Sequence, residues 1–120
     1  MKHHKKGRTL GRKKAGRTAL LRSLTASLVL HEGITTTVAR AKELRPFVEH
    51  LVSKAKKNDV ASRRAISATL GGAANTVKKL HETIAPRYAK RAGGYTRITR
   101  LGRVGNRAIE AARIEFVLDK

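Results

Sequence analysis

The stretch from Gly33 to Lys57 constrains the fold most strongly, because its hydrophobic pattern changes period within a few residues. It opens with a β-branched run at 34–37, which favours a short strand. Apolar residues then recur at steps of three and four, widened by two more, as on one face of an amphipathic helix: Val38, Ala41, Leu44, Val48, Leu51 and Ala55, with Phe47 and Val52. Pro46 predicts either a kink in this helix or the first turn of its main segment.

Helical patterns flank this unit on both sides. Before it, residues 17–31 predict a helix that Gly33 terminates. One face of that helix carries Leu20, Leu21, Leu24, Leu28 and His31. After it, Asn58 and Asp59 are expected to end the central helix and cap the next. The apolar set of that next helix is Val60, Ala61, Ala65, Ala68 and Leu70.

The second half of the chain predicts one more helix and a hairpin. Residues 74–84 carry Val77, Leu80 and Ile84 inward, and Pro86 is expected to prevent further helix. Residues 95–101 alternate as a strand does. A second period-two set follows after the turn residues GRVGNR, and predicts an antiparallel hairpin: Ala112, Ile114, Phe116 and Leu118.

The predicted element order is therefore α-β-α-α-α-β-β. The simplest way to bury these stripes is an α/β fold of the α+β type with two layers, in which helices cover a small three-stranded mixed sheet. The 120 residues suffice for one domain. We expect an extended basic arm at 1–16 and a single domain at 17–120.

The charge of the chain indicates its kind of partner. It holds 28 lysines and arginines against 8 acidic residues, a formal net charge of +20. Self-repulsion at that charge opposes compaction, so a polyanion is the expected partner. The chain has no cysteine, and its apolar runs are too short for a membrane span or a secretory signal. These features predict a soluble intracellular polyanion binder.

Residues 1–16 are cationic and have almost nothing to bury. Their basic residues alternate with glycines: Lys2, Lys5, Lys6, Arg8, Arg12, Lys13 and Lys14. We expect this arm to be disordered alone and to order along a phosphate backbone, where counterion release favours binding. The alternative is a solvated tail. His3 and His4 are assigned to phosphate or base contacts rather than to a metal ion, because adjacent side chains of an extended tail point to opposite sides.

The segment 85–103 is the most chemically suggestive. It surrounds Gly93–Gly94 with Tyr88, Tyr95 and a set of cations: Arg87, Lys90, Arg91, Arg97, Arg100 and Arg103. Glycines permit close backbone approach, guanidinium groups pair with phosphate oxygens, and tyrosines can stack on unpaired bases. The spacing excludes a phosphate-binding P-loop. The alternative is an ordinary turn.

Three segments, MKHHKKGRTLGR at 1–12, GITTTVARAKELRP at 33–46 and RYAKRAGGYTRI at 87–98, closely resemble the L-seventeen family of bacterial large-subunit ribosomal proteins. The resemblance runs essentially from end to end. It implies a two-layer α/β fold bound to the large ribosomal RNA near the peptide exit side, with ribosomal-protein neighbours, in the cytoplasm. It implies no cofactor, metal, membrane or small-molecule substrate.

By the same match, RNA contact is expected at His3, Lys5, Arg8, Arg12, Lys13, Arg17, Lys42, Arg91, Gly93, Gly94, Tyr95, Arg97 and Arg100. The chain departs from the family in its last turn. Family members often carry Gly-Asp-x-Ala-Pro there, whereas residues 105–109 are Gly-Asn-Arg-Ala-Ile.

Three other classes fit the residues less well. A DNA-binding architectural protein would share the charge, but no dimerisation arm or recognition-helix pattern is present. An enzyme would need clustered polar groups, whereas the few acids are scattered and no nucleophile–base arrangement is evident. A membrane-active protein would need bulky aromatics on a basic helix, and aromatic residues are 3% of the chain.

Overall fold

The computed structural model describes residues 14–103 and 109–118. A layer of helices packs on a three-stranded sheet, which confirms the predicted class and element order. The helices are α1 Lys14–His31, α2 Val38–Ala55, α3 Val60–Thr69, α4 Ala74–Lys79 and α5 Ala85–Arg87, with a π-helical turn at Leu80–Ile84 between the last two. The strands are β1 Gly33–Thr37, β2 Thr96–Arg103 and β3 Glu110–Phe116.

The last strand lies in the middle of the sheet. The strand order is β1-β3-β2, and β3 runs antiparallel to both neighbours. The predicted β2–β3 hairpin is thus confirmed, but the sheet is antiparallel throughout rather than mixed. One cross-strand row of isoleucines, Ile34–Ile114–Ile98, faces the helices and belongs to the core. The predicted departure from the family turn lies at 105–109, of which 105–108 are outside the described residues.

Helix α2 is the element that the sequence predicted best. The Thr37 hydroxyl accepts a hydrogen bond from the backbone N–H of Arg40, 3.2 Å away, and so caps its first turn. Its predicted stripe faces the core, with Leu44, Val48 and Val52 fully inaccessible and Val38 and Phe47 partly buried. The helix packs on the inner face of all three strands. Pro46 lies inside α2 and is exposed, so it does not begin the helix.

Helix α1 matches its predicted face in part and differs in its terminator. Leu28 is buried and Leu21 and Leu24 pack against the core as predicted, whereas His31 is exposed and the other buried residues are Thr25 and Val29. The helix ends at Glu32, which takes φ +62° and donates its backbone N–H to the Leu28 carbonyl. Gly33 is already in β1, so the prediction of a glycine terminator is wrong.

Helix α3 is capped as predicted but buries a different face. Asp59 and Ser62 form a reciprocal capping box. Ser62 and Ile66 are then buried, together with Leu70 just beyond the helix. Val60, Ala61 and Ala68, predicted as core, are exposed, whereas the prediction for Leu70 is confirmed.

The helical stretch after Ala74 continues past Pro86, contrary to prediction. The π-helical turn Leu80–Ile84 widens the backbone, and the N–H of Ala85 bonds to the carbonyl of Leu80. Pro86 then falls in the first turn of α5, where its missing N–H is not needed. The inward predictions for Leu80 and Ile84 are confirmed, since both are fully buried.

The hairpin strands are shifted from their predicted bounds. Ala112, Ile114 and Phe116 are buried as predicted, but Leu118 lies beyond β3 and is 70% exposed. Strand β2 continues to Arg103 through a bulge between Arg100 and Gly102. Gly102 has φ +79°, a backbone conformation that residues with a side chain rarely adopt.

Candidate nucleic-acid interface

The segment from Arg91 to Tyr95, hereafter the glycine turn, is held against α2 by three polar side chains. Glu49, Ser53 and Lys56 follow one another at steps of four and three, so they lie on one face of the helix. We call these three residues the α2 polar row. Its partners lie in the glycine turn and at the first residue of β2, more than thirty residues further along the chain.

Each member of the α2 polar row makes a specific contact. The Glu49 carboxylate accepts the Thr96 backbone N–H at 3.2 Å and the Thr96 hydroxyl at 2.7 Å. Ser53 Oγ lies 3.3 Å from Tyr95 Oη. Lys56 Nζ donates to the Arg91 carbonyl, lies 3.1 Å from Tyr95 Oη and sits 5.2 Å from the centre of the Tyr95 ring. Both ends of the glycine turn are therefore anchored to a rigid helix.

The electrostatics of this cluster match its geometry. The hydrogen bond with Ser53 and the ammonium of Lys56 lower the pKa of the Tyr95 phenol, while burial opposes the shift. Tyr95 is 1% exposed and packs on Tyr88, with 5.2 Å between ring centres. Tyr88 is fully buried and donates its hydroxyl to the Val117 carbonyl at 2.5 Å.

The predicted stacking of these tyrosines on RNA bases is therefore wrong. Both rings are enclosed by the core, because each gives its hydroxyl a partner inside the protein and its faces to other side chains. The ring of Tyr95 cannot contact RNA in this conformation. Tyr95 instead anchors the end of the glycine turn, because its ring is buried in the core and its hydroxyl contacts Ser53 and Lys56.

The backbone conformation requires a glycine at position 94 but not at position 93. Gly94 has φ +65°, a backbone conformation that favours glycine. Gly93 has no such requirement, and a Cβ atom added there would meet no protein atom within 4 Å. Both glycines are exposed. Nothing in the described part of the chain explains the missing side chain at Gly93.

Several predicted contact residues surround the glycine turn. Arg91 is half-buried and its Nε donates to the Gly93 carbonyl at 3.2 Å, while Lys90 is exposed beside it. Arg97 and Arg100 follow on β2 and are exposed. By the strand register they point to opposite faces, Arg97 paired with Glu115 and Arg100 with Ala112. Arg91, Gly93, Gly94, Tyr95 and Arg97, which are close in sequence, thus lie together in the structure.

The remaining predicted contacts lie on other elements. Arg17 is half-buried early in α1 and Lys42 is exposed on α2. The predicted contacts of the arm, His3, Lys5, Arg8, Arg12 and Lys13, lie outside the described residues, as does the predicted histidine pair. Within 14–103 and 109–118 no group of His, Asp and Glu could hold a metal ion. No helix there is long and apolar enough to cross a membrane.

The α2 polar row is the functional feature that the sequence analysis missed. Its only local signal is the spacing of Glu49, Ser53 and Lys56 along one helical face. That spacing equally suits a solvated face, since the partners of the row become visible only when β2 is placed beside α2.

Comparisons with known proteins identify the relatives of this chain. A family model described as ribosomal protein L17 matches residues 20–117. Proteins named large ribosomal subunit protein bL17 are 50% identical in Sphingopyxis alaskensis, covering 98% of this chain and 84% of that protein. The corresponding values are 46%, 98% and 91% in Pelobacter propionicus, and 45%, 98% and 99% in Thermomicrobium roseum.

The matches thus place the chain among ribosomal proteins. It belongs to the ribosomal protein L17 family.

Proposed function

We propose that this chain is a structural constituent of the large ribosomal subunit, in the cytoplasm, where it binds the large ribosomal RNA and stabilises its folded form. Its relatives are named as large-subunit proteins. A location near the peptide exit side, with neighbouring ribosomal proteins, is the part of the proposal that follows from the family resemblance.

The observation that carries RNA binding is the bare backbone at Gly93. The turn is rigidly anchored, it projects no side chain at this position, and no protein atom occupies the space that a Cβ would fill. A turn that carries no side chain at this position lets a phosphodiester backbone approach the peptide N–H groups there closely. Lys90 and Arg97 stand on either side of it to neutralise the phosphates.

The N-terminal segment provides the second part of the proposed interface. Residues 14–16 of the predicted arm belong to helix α1, so the proposed arm contact is assigned to residues 1–13. The arm holds six lysines and arginines and no acid. Each phosphate that these cations neutralise releases counterions, which favours RNA binding most at low salt. In this proposal the arm and the glycine turn contact the same RNA.

The test is the variant Gly93→Val, measured by titration against purified large-subunit ribosomal RNA. The added side chain holds the RNA away from the backbone, and we expect affinity to fall about tenfold or more, the size of a lost hydrogen bond to a charged group. Ala61→Val, which enlarges an exposed alanine on α3, is the matched control. Gly94→Val is less useful, because its φ of +65° strains any side chain.

Two outcomes would contradict the proposal. The first is a Gly93→Val chain that keeps its circular dichroism spectrum and binds RNA as tightly as the wild type. The glycine turn would then be an ordinary turn that does not contact RNA. Equal competition by ribosomal RNA and by duplex DNA would instead favour a general polyanion binder. We expect ribosomal RNA to be preferred.

A further inference from the structure

The outer face of the sheet is open to solvent. Helix α2 packs against the other face, where the isoleucine row lies. The strand register places three rows on the outer face: Gly33–Glu115–Arg97, Thr35–Arg113–Thr99 and Thr37–Ala111–Gly102. Thr35, Arg97, Thr99 and Arg113 are exposed. We call this surface the outer sheet face.

Two guanidinium groups lie on this face, held by one carboxylate. Glu115 Oε1 accepts from Arg97 Nη2 at 3.1 Å, and Glu115 Oε2 lies 3.5 Å from Arg113 Nε. The hydrogen bond from Arg97 lowers the pKa of Glu115, so this carboxylate is charged at neutral pH. Two cations against one anion leave a net positive charge. Each guanidinium also keeps donors that Glu115 does not use.

Gly33 allows Arg113 to lie against the sheet. A Cβ atom on Gly33 would stand 2.3 Å from Nη2 of Arg113 and 2.9 Å from its Cζ, well inside contact distance. Gly33 itself is buried although it is on the open face, because the arginine covers it. This glycine does not end a helix and its φ is not positive, so the space for Arg113 is the reason that the structure offers for it.

The chemistry of the outer sheet face fits RNA better than protein. Stable protein interfaces are anchored by buried aromatic or large apolar side chains. None of the residues in the three rows is aromatic or an apolar residue larger than alanine. The absence of aromatics also disfavours stacking of unpaired bases. Threonine hydroxyls and guanidinium groups on a flat surface instead suit phosphates and 2′-hydroxyls, the groups by which duplex RNA is recognised.

We propose that the outer sheet face is a second RNA-binding surface, which docks the sugar–phosphate backbone of a duplex segment through Arg97, Arg113 and Thr99. The inference rests on the proposed RNA-binding function and extends it to residues that the family resemblance did not single out, Arg113 and Thr99. The surface is continuous with the glycine turn, because that turn leads directly into β2 and Arg97 belongs to both.

The test uses the full chain and three variants: Arg113→Gln, Thr99→Val and the control Arg64→Gln. Arg64 is exposed on α3, so this control removes one positive charge away from the sheet. The probes are large-subunit ribosomal RNA, a duplex RNA and a duplex DNA of the same sequence. We expect Arg113→Gln to weaken both RNA complexes about tenfold and to reduce the salt slope by about one. Arg64→Gln should change affinity by about twofold or less.

Thr99→Val tests the hydroxyl separately, because valine keeps the shape and the strand preference of threonine. It should weaken binding to duplex RNA and leave binding to duplex DNA unchanged, since only RNA carries the 2′-hydroxyl. Circular dichroism and chemical unfolding of each variant monitor the fold.

The outcomes separate this inference from the function on which it rests. A wild-type chain that does not bind ribosomal RNA overturns both. If the wild type binds and Gly93→Val weakens binding, but Arg113→Gln matches Arg64→Gln, only the outer sheet face is refuted. The inference also fails if Arg113→Gln keeps RNA affinity but reduces incorporation into subunits, because a protein neighbour would then occupy the face.

Discussion

Lys56 is the one member of the α2 polar row that contacts both the first and the last residue of the glycine turn. Its ammonium contacts the Arg91 carbonyl and the Tyr95 hydroxyl and lies over the Tyr95 ring. These partners are 35 and 39 residues away in sequence, which is why spacing alone could not assign Lys56 a role. The sequence likewise suggested two exposed tyrosines beside the turn, since aromatic rings next to cations fit a stacking site as well as a core.

Replacing Lys56 with methionine should loosen the glycine turn. The variant keeps the length of the side chain but loses both hydrogen bonds, so we expect faster amide hydrogen exchange at 92–95 and weaker RNA binding. Lys57→Met is the matched control, because Lys57 is the adjacent, exposed lysine and its loss changes the net charge equally. Equal exchange rates and equal RNA affinity in the two variants would show that Lys56 contributes only charge.

The burial of His81 predicts that the stability of the fold depends on pH. It is 3% exposed in the π-helical turn, and burial, with the charge of Arg63, lowers its pKa below the ordinary 6.5. The backbone of Ala55 acts in the opposite direction and raises the pKa of His81. It does not form a hydrogen bond with the ring, because neither ring nitrogen has a partner among the described residues. The unfolded chain therefore takes up a proton near pH 6.5, while the folded chain resists it.

The free energy of unfolding should accordingly decrease as pH falls from about 7 to 5. His81→Met, which cannot titrate, should flatten this decrease in urea unfolding measured at several pH values. The carboxylates with lowered pKa, such as Glu32 and Glu115, lose their contribution only below about 4.5, outside this window. A pH profile identical to wild type in His81→Met would contradict the assignment.

At the scale of elements, predictability followed the clarity of the hydrophobic period. The apolar stripe of helix α2 was predicted correctly because its period is strong, whereas the cap at Thr37 was not predicted, since that residue also fits a strand. The face of helix α3 was mostly misassigned, with only Leu70 correct, because alanines and serines carry little periodic signal. The π-helical turn has no period of its own, so Pro86 suggested an end where the structure continues.

Leu51→Ala tests the central stripe. Leu51 is 2% exposed on α2, and its truncation should cost roughly 2–5 kcal/mol in the free energy of unfolding, the usual range for a buried leucine. The same change at Leu30, which is 65% exposed on α1, should cost about half a kcal/mol or less. Chemical unfolding of both variants decides the matter, and equal costs would mean that the stripe does not form the core.

At the scale of the whole molecule, the fold class was the most predictable feature. Alternating helix and strand patterns were enough for the class, and the net charge of +20 was enough to suggest a polyanion partner. The position of β3 between β1 and β2 was not predictable, because pairing distant strands depends on how α1 and α2 cover the sheet. The outer sheet face escaped prediction for the same reason, since it exists only once the three strands are aligned.

The most direct test of RNA binding is a salt titration of the full chain and of residues 14–120 against large-subunit ribosomal RNA. We expect the full chain to bind with a steep decrease of log affinity against log salt. Removing the arm should leave the circular dichroism spectrum unchanged and flatten that slope by about three, if four phosphate contacts are lost at roughly 0.7–0.9 each. If the two slopes coincide, the arm is a solvated tail that does not contact RNA. If the affinity of the full chain does not depend on salt, the proposal that this chain binds RNA through its cationic residues is wrong.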